Sequence, residues 1–284
     1  MYRQKKFFLL FLVCCPMVVK AQTPLFKVEV SDQMLSEILE KNSHIVISSF
    51  NGKTEIDPFE YSDRESLIDI VIEEGIEKIG EYAFLGCKSL KTITLPSSLK
   101  EIGEGAFRDC ISLERLVIPE GIKKIPDYMC AWDESLQEVT LPESIEDIGR
   151  NAFSYCTHLG DISFPRGLKH IGPNAFSYCS SLKEVDLPDG MVELESYVFS
   201  GCKNLIRAKL PANNNLLGEL IFTGCVNLEE IICMSPVPPP FDCDSPLFDP
   251  LEINLWNRCH LKLHSNAISL YRKAPGWHLF FLSD

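Results

Sequence analysis

The feature that most limits what this chain can fold into is a repeat of 23 residues that runs without insertion or deletion from Tyr61 to Ile231. Phe84, Phe107, Phe153, Phe176, Phe199 and Phe222 fall on one register, with Cys130 where another Phe is due. Three residues later Cys87, Cys110, Cys156, Cys179, Cys202 and Cys225 share the period, followed by a leucine column from Leu90 to Leu228. Each unit then alternates apolar and polar residues up to a proline (Pro96, Pro119, Pro142, Pro165, Pro188, Pro211). Alternation with period two reads as a short strand with one face inward, and the proline ends it because it has no N–H to donate. A second apolar pair follows, such as Leu99/Ile102 and Ile145/Ile148, and Gly80, Gly103, Gly149 and Gly172 read as the residues that permit a tight corner before the Ala-Phe pair. One coil cannot bury its apolar face alone, whereas stacked coils share a continuous core. The expected fold is a β-rich leucine-rich-repeat solenoid of the horseshoe type, with one short strand per coil and caps at both ends.

The unit LKTITLPSSLKEIGEGAFRDCIS resembles the bacterial leucine-rich repeat of the BspA-like, or Treponema pallidum, type. The tail CHLKLHSNAISLYRKAPGWHLFF resembles the closing segment of such proteins in Bacteroides-like bacteria. The resemblance implies a secreted or cell-surface protein, and some members are associated with adhesion to host matrix proteins or other microbes.

The ends of the chain are organised differently. Residues 1–21 carry Arg3, Lys5 and Lys6, an apolar run from Phe7 to Val13, and Val19-Lys20-Ala21, which reads as a signal peptide and so predicts export. Val13 stands where a lipidation signal before Cys14 wants a small residue, so lipidation is disfavoured. Residues 22–57 are expected to form an N-terminal cap, with Met34, Leu35, Ile38 and Leu39 on one helix face and Asn51-Gly52 as a turn. Residues 58–234 form the solenoid of seven to eight coils. Residues 235–284, opened by the stiff SPVPPP and rich in aromatics, form a C-terminal cap.

Charge narrows the function. The formal net charge is −13 and falls to about −17 once the four cations of residues 1–21 are set aside. An acidic surface disfavours nucleic acid as partner. The six columnar cysteines sit between a Phe and a Leu, where packed thiols are favoured over sequential disulfides and over metal, because a tetrahedral site needs convergent rather than stacked ligands. A Cys243–Cys259 bridge is an open alternative. The six histidines are scattered, and no hydrolase, phosphate-loop or metalloprotease motif occurs. A non-enzymatic binding or adhesion protein is expected, with no cofactor or metal, no transmembrane segment after signal removal, a monomeric state, and a protein or glycan as partner. The alternative is a structural subunit of a cell-surface complex.

The residues flanking the inward position of each strand are the binding candidates. They place Glu138, Asp161, Glu184 and Asp186 as an acidic stripe beside Arg207 and Lys209. One coil departs from the pattern: IPDYMCAWDESL has Cys130 for Phe and Asp133 for Cys, and adds Trp132. Either Trp132 swings in to refill the Phe slot or it projects as an aromatic anchor. The several kcal/mol that an empty Phe slot costs favours refilling.

Overall fold

The computed structural model describes residues 43–49, 52–212, 216–240, 247–249 and 257–281. The expected signal peptide, the capping helix with Met34 to Leu39, Asn51 and Cys243 lie outside the described residues.

The chain winds into a solenoid of eight parallel coils, whose Phe-slot residues run from Tyr61 to Phe222. Adjacent strands pair in parallel at an offset of 23 residues, Asp69 with Thr92 and Glu184 with Arg207, so equivalent side chains of successive coils become neighbours. The strand wall comprises His44–Ile47, Asp69–Ile72, Thr92–Thr94, Arg115–Val117, Glu138–Thr140, Glu184–Asp186, Arg207–Leu210, Glu230–Cys233 and His260–Leu263. Three-residue strands there alternate exposed, buried, exposed, as at Glu138–Thr140. Each coil adds a second strand of two residues beyond the one anticipated, for example Glu101–Ile102 and Asp147–Ile148, which brings the second apolar pair inward. The third side is a turn wall that carries the Phe column.

The core lies between these walls. The six phenylalanines are fully buried, and they stack coil to coil, with centroids 5.7 Å apart at Phe84–Phe107 and 5.3 Å at Phe153–Phe176. The turn wall is itself hydrogen-bonded along the solenoid axis: the N–H groups of Tyr82, Phe84 and Gly86 donate to the carbonyls of Glu104, Ala106 and Arg108.

The corner glycines do something other than turn the chain. Gly103 and Gly172 do not have positive φ; a Cβ on either would come within 2.5 Å and 2.8 Å of a backbone nitrogen of the preceding coil. They permit close approach between coils. Left-handed backbone falls instead two residues before and two residues after the Phe slot, in all eight coils.

At the C-terminal end His260–Leu263 pairs with Glu230–Cys233. Tyr271 and Trp277 are buried, and their polar atoms are satisfied by the proline-rich exit: Tyr271 Oη donates to the Ser235 carbonyl at 3.1 Å and Trp277 Nε1 to the Pro239 carbonyl at 2.9 Å.

Candidate binding surfaces

The cysteine column is a structural device. All nine described cysteines are buried thiols, none of them in a disulfide. Cys87, Cys110, Cys156, Cys179, Cys202 and Cys225 each donate to the carbonyl of the residue 26 positions earlier, at 3.1–3.2 Å. That carbonyl belongs to the Phe slot of the preceding coil, so the thiols tie coils together. Burial raises the thiols of Cys110, Cys130, Cys156 and Cys179, and pushes Cys202 up to about 12. They therefore stay protonated and act as donors rather than nucleophiles. No group of His, Cys, Asp or Glu among the described residues is placed to hold a metal ion.

The irregular coil corrects the volume argument. Cys130 is fully buried in the Phe slot, and the missing volume is made up by Met129, which replaces the alanine of neighbouring coils and is fully buried. Unbranched and polarizable, methionine suits such a gap. Trp132 does not refill the slot. It lies half-buried on the outside, stacked on Tyr155 at 5.6 Å with the Arg108 guanidinium 4.7 Å from its ring centre. Asp133 takes the cysteine position and is fully buried; its Oδ1 accepts the Cys110 N–H at 2.8 Å and its Oδ2 has no protein partner. Desolvation holds this carboxyl well above the usual carboxylate range.

On the strand wall most of the acidic stripe is matched by cations from the adjacent coil. Arg115 pairs with Glu138 at 2.8 Å, Arg207 with Glu184 at 3.2 Å, and Lys209 with Asp186 at 3.0 Å. Among the described residues Asp161 alone of the four acids has no ion pair. Its coil is also the one that fails to form the expected strand, keeping only a single bridge between Glu138 and Asp161. Gly160 stands at the strand entrance where other coils have Lys91, Gln137 or Lys183, and glycine weakens a strand. Ile162 is left half-buried, whereas Val139 and Val185 in the same slot are buried. A cleft of about 660 Å³ opens there, lined by Ile162, Phe164, Arg166, Asp186, Asp189 and Lys209. Sequence reading found Asp186 and Lys209 but missed Phe164 and Arg166; Gly160 was the available signal.

With this geometry in place, the comparison with known families is decisive. The BspA type leucine rich repeat region, in six copies, matches residues 54–131 and 123–238. The chain belongs to that family. Leucine-rich-repeat proteins of the BspA type are generally non-catalytic scaffolds. Among solved structures, a leucine rich repeat protein of T. pallidum is 30% identical, covering 66% of this chain and 78% of that one at a TM-score of 0.48. A leucine-rich repeat protein of Bacteroides ovatus is 23% identical over 79% and 72% of the two chains, at a TM-score of 0.47. A leucine rich cell surface protein of Faecalibacterium prausnitzii is 21% identical over 67% and 81%, at 0.33. No curated protein matches the chain. No helix among the described residues of this BspA-type protein is long and apolar enough to cross a membrane.

Proposed function

We propose that this BspA-type chain is an exported, non-catalytic binding protein that takes a protein or glycan partner on the strand wall of its solenoid. The signal-peptide pattern of residues 1–21 supports export to the cell surface or beyond. The observation that carries the reading is the cleft at the broken strand, where half-buried Phe164 and Ile162 meet cations and anions within one concavity. Concave sites of this mixed kind are where ligands are normally held. Around it Asp161 offers a carboxylate without an ion-pair partner, while Glu138, Glu184 and Asp186 sit in pairs with Arg115, Arg207 and Lys209 that a partner can exchange. Trp132 lies outside this wall.

The test is to capture a partner on the immobilised mature chain, identify it, and measure its affinity for a variant with Glu138, Asp161, Glu184 and Asp186 all replaced by serine. Affinity should fall at least tenfold with folding intact. An unchanged dissociation constant would remove the strand wall from the proposal.

A further inference from the structure

The second residue after the Phe slot has a left-handed backbone in every coil, with φ between 56° and 75°. Five coils fill it as that conformation demands, with Asp63, Gly86, Asp109, Gly201 and Gly224. Three consecutive coils do not: Trp132, Tyr155 and Tyr178 hold φ values of 66°, 62° and 61°. Bulky residues rarely adopt this conformation, and the scaffold does not need them there, since glycine serves the same slot elsewhere.

The three rings form one continuous stack on the outside of the turn wall. Trp132 and Tyr155 lie 5.6 Å apart, and Tyr155 and Tyr178 4.5 Å apart, in near-parallel planes. The stack is held at both ends. Arg108 covers Trp132 at 4.7 Å, and Tyr178 rests on Gly201, where a Cβ would come within 2.7 Å of the ring. Even so, Tyr155 is 37% and Tyr178 43% exposed.

Of the three tyrosines in the other left-handed column, two residues before the Phe slot, Tyr82 and Tyr197 are tied to the next coil by their hydroxyls and Tyr128 is not. There the Tyr82 hydroxyl is bound by Glu104 and the Tyr197 hydroxyl by Glu219 of the next coil. Among the described residues the hydroxyls of Tyr155 and Tyr178 have no protein partner. The surroundings differ in charge as well. Residues 151–160 (NAFSYCTHLG) and 174–182 (NAFSYCSSL) contain no Asp, Glu, Lys or Arg, whereas the same segments of other coils carry Lys88, Arg108, Asp109, Glu134 or Lys203. The Tyr155 and Tyr178 coils thus present aromatic, hydroxyl and amide groups without Asp, Glu, Lys or Arg on a chain whose net charge is −13, while the Trp132 end carries Arg108 and Glu134.

We propose that Trp132, Tyr155 and Tyr178 form the binding strip for a neutral polysaccharide, laid along the solenoid axis with about one sugar ring to each coil. Its Tyr155–Tyr178 part has no Asp, Glu, Lys or Arg to answer a charged ligand. The ring faces are taken up by the stack, Arg108 and Gly201, so recognition falls to the free hydroxyls, which both donate and accept as sugar hydroxyls require. The ring spacing is close to the length of one sugar unit in an extended β-linked chain. Because the rings are locked before any ligand arrives, little side-chain freedom is lost on binding. The proposal rests on reading the chain as a binding module but places this ligand on the turn wall, away from the cleft.

Affinity electrophoresis of the mature chain through gels containing hydroxyethylcellulose, xyloglucan or galactomannan tests it, with polygalacturonate as the charged control. The wild type should be retarded by at least one neutral polymer. The double variant Tyr155→Gly, Tyr178→Gly uses the residue that other coils place in this slot, and should bind at least tenfold more weakly with an unchanged circular dichroism spectrum. Trp132→Asp, copying Asp63 and Asp109, should weaken binding in the same direction and serves if the double variant does not fold. The strand-wall quadruple serine variant should be retarded like the wild type, which separates failure of this strip from failure of the cleft. Absence of retardation by all three neutral polymers, equal retardation of the glycine or aspartate variants, or retardation by polygalacturonate alone would overturn the proposal.

Discussion

The strand wall and the turn wall are built from the same 23 residues, yet they hold the solenoid by different means. On the strand wall, coil meets coil through short ladders and exposed ion pairs such as Arg115–Glu138 and Lys209–Asp186. On the turn wall the contacts are dry: stacked phenylalanines, thiols bound to carbonyls, and a backbone ladder running through two left-handed positions per coil. The strand wall even loses a strand at Asp161–Phe164 while the turn wall of the same coil keeps Phe153 stacked on Phe176. The contacts between coils are thus continuous on the turn side and interrupted on the strand side.

The sharpest way to break this contrast is to empty one slot in the stack. Phe153→Ala removes a ring with no exposure, between Cys130 and Phe176, and should cost about 3–5 kcal/mol in urea denaturation. A loss below about 1 kcal/mol would show that the column is not the main fastening.

A smaller effect should come from Asp133, the polar group that the turn wall buries in place of a thiol. Burial raises its carboxyl in the folded chain. As pH rises above about 4, the unfolded chain releases this proton while the folded chain keeps it, so the wild type loses stability relative to a variant that cannot ionise. Asp133→Asn keeps an oxygen for the Cys110 N–H. The stability gap between the Asp133→Asn variant and the wild type should widen steadily as pH rises from about 4.5 to about 7.5, read from paired urea titrations. A gap independent of pH would mean that the folded carboxyl titrates normally.

These two regions were not equally legible in the sequence. The Phe and Cys columns announced the core because a buried slot tolerates few residue types, and repetition made the tolerance visible. The two left-handed columns left only a faint sign: Gly86, Gly201 and Gly224 share a slot with Asp63 and Asp109, a mixture that a positive φ explains. Trp132, Tyr155 and Tyr178 concealed it, because aromatic residues in a turn read as core or surface rather than as strained backbone. Volume alone therefore points Trp132 inward, while Met129, in a slot filled elsewhere by alanine, supplies the bulk. The acidic stripe was visible one coil at a time. Its pairing was not, although Arg115 with Glu138 and Glu184 with Arg207 stand 23 residues apart and a parallel register makes such residues neighbours. Gly160 marked the broken strand, but nothing in the pattern showed that it would open a cleft.

The smallest effect belongs to the strand wall, and it decides whether the contrast is real. Glu138 and Glu184 are more than half exposed in their pairs with Arg115 and Arg207. Water screens such pairs, and ordering two long side chains offsets most of the attraction, so each contributes about 0–1 kcal/mol. The double variant Glu138→Ser, Glu184→Ser should therefore unfold within about 1 kcal/mol of the wild type, and any deficit should shrink as salt rises. Urea titrations at low and at high salt measure both. If the double variant lost as much as Phe153→Ala at either salt, the two walls would be equal partners in holding the coils, and substitutions along the strand wall could not be read as effects on binding alone.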